Sequence, residues 1–79
     1  MPYINPNRRR DIDGGEDPLS VGELTYLLTR TVLDYLPPKP RFQDYAEVLG
    51  ALESTKMELY RRVVGPYEDK KCEENGDVY

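Results

Sequence analysis

The chain has 79 residues, 15 acidic against 11 basic side chains for a formal charge of −4, one cysteine and no histidine. That length supports one small domain, near the size at which folding hides only about 60% of the surface the open chain exposes. The counts exclude an internal disulfide, a Cys/His zinc site and any catalytic centre built on histidine, and the net charge argues against a general field for nucleic acid or anionic membrane.

Of the usual supplements to a small core, self-association is the one these counts leave open. No metal and no cofactor is expected. A single cysteine fits a reducing compartment, and no apolar run reaches signal or membrane-span length. The expectation is a soluble cytoplasmic protein.

Residues 1–19 read as an N-terminal arm with at most two turns of helix. Asn5-Pro6 starts a turn through Arg8, Arg9 and Arg10, since proline's missing N–H costs nothing at a first helical position. Gly14-Gly15 ends it. Residues 20–79 read as one helical domain. Ser20 and Glu23 have capping-box spacing, and helix A runs over about 20–36. Its main apolar arc includes Leu24, Leu28 and Val32, with Glu23, Arg30 and Asp34 opposite. Tyr26 and Leu33 start a second apolar strip, and Pro37-Pro38 stops the helix.

Helix B is expected over about 44–64, with Asp44 and Glu47 as a second cap-like pair. Tyr45, Val48, Leu49, Leu52, Leu59, Tyr60 and Val63 share one face. Gly65-Pro66 is the ordinary stop signal, and Pro66 opens a short C-terminal helix over about 66–75, closed by Asn75-Gly76. The expected fold is all-α: an antiparallel hairpin of two long helices, a short C-terminal helix and an arm, assembled as a homo-oligomer because both helices carry more apolar surface than one stripe. Pro66, Tyr67, the Asn-Gly turn and the closing Val78-Tyr79 are unlike a solvated tail. The segment is expected to fold back, with Tyr67 and Tyr79 covering apolar helix surface in the same or a neighbouring chain.

Lys56 falls in the middle of helix B's apolar arc. Either it points into a ligand pocket, or its stem covers apolar surface while its head reaches Glu53 or another acid. Arg61 and Arg62 suit the helix dipole at that end, and with Lys56 they could hold an anion bidentately, Tyr60 or Tyr67 stacking on it. Lys56, Tyr60, Arg61, Arg62 and Tyr67 are the ligand-binding candidates. Ala46, Gly50, Ser54 and Met57 form a flank of small side chains ending in a methionine, suited to close approach of another helix. Asp11, Asp13 and Glu16 fail the spacing of a calcium loop, and Cys72 sits among acids that raise a thiol's pKa. An enzyme is not expected. Two binding readings follow: capture of an anionic small molecule or nucleotide between subunits, or a protein-binding adaptor or inhibitor that offers its acidic C-terminal tail to a host protein.

The words YRRVVGPYEDKKCEENGDVY, Tyr60 to Tyr79, resemble the ends of a family of uncharacterised small proteins of bacteriophages and bacteria, of about this length. The likeness is strongest over Tyr45 to Tyr79 and weak over the arm. It implies no particular activity. More loosely, a helical hairpin with arginines near the end of its second helix is similar to phage proteins that assemble into oligomers and sequester nucleotide immune signals. That similarity implies an anti-defence role.

Overall fold

The computed structural model describes residues 3–79, of which all regular elements are helical. Of the described residues 74% are helical, in three helices of which the last is 34 residues long. It divides into two compact units, Met1–Pro40 and Arg41–Tyr79. Among the described residues no helix is long and apolar enough to cross a membrane.

The first unit holds α1 (Pro6–Asp13) and α2 (Val21–Tyr35). Asn5 caps α1 by accepting the Asn7 N–H at 2.7 Å, and Pro6 opens the helix. At the other end the Gly14 N–H donates to the Arg10 carbonyl, and Gly15 adopts φ +107°, the left-handed region that glycine occupies without a side-chain clash. α2 starts where Ser20 Oγ accepts the Glu23 N–H at 3.1 Å and stops at Leu36, before the two prolines. These boundaries agree with the sequence reading.

The arm packs on α2 along the flank begun by Tyr26 rather than on the main arc. Tyr26 donates its hydroxyl to both Asp13 carboxylate oxygens, at 2.9 and 3.0 Å. That bond holds the Tyr26 hydroxyl above its ordinary pKa, because ionisation would set a phenolate beside a carboxylate. Ile12, only 3% exposed, is the buried apolar residue of this unit. It borders a surface recess of about 180 Å3 with Leu27 and Thr31. The segment before α1 passes close to Gly22, where a Cβ would stand in contact with Ile4 Cγ2 at 3.4 Å.

Glu23 departs from its expected place on the solvent face. Arg8 reaches it from α1 with Nη2 at 2.6 Å and Nε at 3.1 Å, both on Oε1, and the same oxygen accepts the Leu19 N–H at 3.1 Å. The second half of the capping box therefore serves Leu19 and the arm. Arg8 also bonds Asp11, Glu16 and the Asp17 carbonyl, so one guanidinium gathers the whole loop between the two helices. The Glu23 side chain keeps 13% of its exposure. The Arg8 hydrogen bond first, and the Leu19 N–H second, hold its carboxyl below the usual range.

A pH dependence follows. Because the folded value is the depressed one, the stabilisation by Glu23 is complete above the unfolded carboxylate value of about 4.3 and is lost as pH falls through the lower folded value. Thermal melts from pH 7 to pH 2 are expected to show an acid limb below about pH 4, and Glu23→Gln is expected to flatten that limb. An acid limb unchanged by Glu23→Gln would refute the assignment.

In the second unit, α3 (Phe42–Leu59) begins two residues earlier than expected. Arg41 is extended, and Asp44, expected to begin the helix, is its third residue and accepts the Arg41 N–H at 2.9 Å. A carboxylate there satisfies a free donor and suits the positive end of the helix dipole. Glu47, expected as the other member of the pair, accepts instead from the Gln43 amide at 3.1 Å.

Gly65-Pro66 does not end the helix, which corrects the expected division into helix B and a separate short helix. A π turn, Tyr60–Val64, joins α3 directly to α4 (Gly65–Asn75). Proline inside an α-helix lacks the N–H and drives its ring against the carbonyl four residues back. Here the backbone is widened so that the Gly65 N–H donates to the Tyr60 carbonyl five residues earlier, and Pro66 falls in the first turn of α4, where proline is tolerated. Gly65 supplies the room, since a Cβ would lie 3.3 Å from that same carbonyl oxygen. The stop comes at Asn75-Gly76: Gly76 has φ +84° and donates its N–H to the Cys72 carbonyl at 2.8 Å.

The expected fold-back within the chain does not occur. Tyr67 is exposed on α4, and Val78 and Tyr79 lie uncovered beyond Gly76. The continuous helix carries this segment away from the apolar stripe of α3.

Candidate functional site

Val48 is the buried apolar residue of the second unit. The rest of the α3 stripe is open: Tyr45, Leu49, Leu52, Leu59, Tyr60 and Val63 are 40–65% exposed. Apolar residues at this spacing form the stripe because 3.6 residues per turn return positions three and four apart to the same side.

Lys56 lies inside the stripe and pairs with an acid of its own helix. Its ammonium is 3.0 Å from Glu53 Oε1, one turn back on the same helix, and its side chain is largely exposed. Arg61 and Arg62 converge on one acid that the sequence reading passed over. Glu58 accepts Arg61 Nη2 at 3.2 Å and Arg62 Nε at 2.7 Å. Its spacings of three and four residues are the signal that would have found it.

Three of the five ligand-binding candidates are brought together. Lys56, Tyr60 and Arg61 line one shallow depression of about 500 Å3, and Met57, from the packing set, completes it. Arg62 and Tyr67 lie outside it. Tyr67 instead stands beneath the Lys71 ammonium, 5.7 Å from its ring centre, in cation–π geometry. The depression is an apolar floor with two cationic arms, each tied to a glutamate. An anion binding to one chain would have to compete with Glu53 and Glu58.

The π turn brings an acid of α4 to Tyr60. Eight residues of unbroken α-helix end about 80° around from their start. A π turn absorbs roughly one extra residue, reducing that offset to about 20°, and Glu68 comes over Tyr60. The Tyr60 hydroxyl donates to Glu68 Oε1. This bond holds the hydroxyl above its ordinary pKa, for the same reason as at Tyr26.

Ala46, Gly50, Ser54 and Met57 are exposed along the flank. A Cβ on Gly50 would meet nothing within 4 Å, although glycine in a helix interior costs roughly 1 kcal/mol against alanine. Cys72 is a free, exposed thiol.

The chain belongs to the family described as "Domain of unknown function (DUF6899)", whose pattern matches residues 1–78. No curated protein and no solved structure matches it.

Proposed function

We propose that the protein catalyses no reaction and works by binding through the apolar stripe of α3. The observation that carries this is the stripe's exposure in a chain whose buried apolar residues, among those described, are Ile12 and Val48. Contiguous apolar surface rimmed by charge marks interaction sites on small soluble proteins. Here Glu53, Glu58, Arg61 and Arg62 form the rim and leave the stripe as the recognising surface. The absence of histidine from the sequence supports a role without catalysis.

The test is a photo-reactive amino acid placed in cells at Leu52 or Leu59 and, as control, at Ser54 on the flank. The expected result is one discrete cross-linked species from each stripe position and none from Ser54. Equal or absent cross-linking at all three would overturn the reading.

The shared depression favours a second reading. An anionic small molecule or nucleotide would lay a ring on Tyr60 and its phosphate between Lys56 and Arg61, released from Glu53 and Glu58 by an adjoining subunit. Sequestration of a host signal would be its biological form, a role suggested by the looser similarity in architecture to phage proteins that bind nucleotide immune signals and not by the C-terminal words. A nucleotide panel that leaves the melting temperature unchanged would remove it.

A further inference from the structure

We infer that the occupant of the α3 stripe is the same stripe of a second copy, lying antiparallel. The inference rests on the binding role just proposed and names its partner. Tyr45, Leu49, Leu52, Lys56 and Leu59 are separated by alternating steps of four and three residues, the seam of a two-stranded coiled coil, and Val63, four residues further on, extends it into the π turn. All six are exposed. An apolar seam interrupted by one lysine is a recognised way of fixing register and orientation at some cost in stability.

The lysine selects the orientation. In a parallel pair Lys56 would face Lys56 of the other copy inside the seam, where like charges repel in a partly dry environment. In an antiparallel pair centred on Ser54 the layers become Tyr45 with Val63, Leu49 with Leu59, and Leu52 with Lys56. Each Lys56 stem then covers a leucine, and the two ammonium groups lie among two Glu53 carboxylates near the twofold axis, with no net charge. Antiparallel alignment also opposes the helix dipoles.

The area is adequate for a weak but specific pair. Five half-exposed apolar side chains and one lysine stem on each helix bury on the order of 1,000 Å2 in all, the lower bound for a specific interface. Association in the micromolar range is expected.

The test uses the full chain with Cys72→Ser, carrying Leu49→Cys or Leu59→Cys, and a thiol cross-linker about 8 Å long. Antiparallel pairing sets position 49 beside position 59 of the other copy but leaves the two 49 positions about 15 Å apart, ten residues at about 1.5 Å each. The mixture of the two variants is expected to cross-link at least tenfold faster than either alone. Gly50→Ala, outside the layers, is expected to leave the pairing intact. Sedimentation of the unaltered chain is expected to show a monomer–dimer equilibrium. Self-cross-linking of each single variant as fast as the mixture, or a monomer at 100 μM (about a hundredfold above the expected range), would overturn the inference. A monomer that still gives a discrete stripe cross-link to a different protein would refute the self-pair while leaving the stripe's binding role standing. Loss of the stripe cross-link altogether would remove both.

Discussion

Replacing Ile12 with alanine is expected to cost about 2–5 kcal/mol, the range for deleting a buried aliphatic side chain down to its Cβ. Ile12 is the buried apolar residue of the first unit, and a unit of this size has little stability in reserve. The expected result is release of α1 from α2, visible as loss of amide protection over Pro6–Asp13 with α2 still partly helical. Val21→Ala, at an exposed position on α2, is the control and should change stability by less than about 0.5 kcal/mol. Equal effects from the two would mean that the arm is not held by its buried isoleucine.

The second large effect belongs to Pro66. Proline in a helix interior costs about 3 kcal/mol against alanine, and less near a helix start. Pro66→Ala is therefore expected to stabilise the second unit by about 1–3 kcal/mol, because it returns an N–H donor and relieves the ring clash that the π turn accommodates. The wide turn should then tighten to α geometry. Glu68 would swing away from Tyr60, and the Tyr60 hydroxyl, now held high by that carboxylate, should titrate back toward the ordinary tyrosine value. Carbon NMR of the tyrosine rings reads both changes in one titration. If Pro66→Ala leaves the Tyr60 titration unmoved, proline is not what maintains the wide turn.

Much of the fold was legible because its signals are local. Asn5-Pro6, Gly14-Gly15, Ser20 and Pro37-Pro38 act within a few residues of themselves, so they bound α1 and α2 wherever those helices go. Gly65-Pro66 is equally local as a stop signal, yet a hydrogen bond reaching back five residues to Tyr60 defeats it. Helical periodicity put Glu23 opposite the main arc but carried no information about Arg8 arriving from another element. The candidate site was half legible. The stripe and its lysine follow from spacing, and Glu53 stands one turn from Lys56. Glu58 is marked by nothing except its spacing of three and four residues from the paired arginines, which any charged helix offers many times over. The stepping of four and three through Tyr45 to Val63 was present in the letters, and its meaning emerged only once those side chains stood open.

The turn at Tyr60–Val64 also bears on how this chain tolerates change in length. It stores a surplus residue inside a helix, so this is the stretch where the 34-residue rod can lose a single amino acid and keep both halves in phase. A chain shortened by one there, with Pro66 replaced, would close to α geometry with its acidic end facing as it does now, since seven α steps from Tyr60 end where eight steps through the wide turn do. The stripe up to Leu59 would be untouched. Closing the turn without that loss is what re-aims the last ten residues, by about 100°.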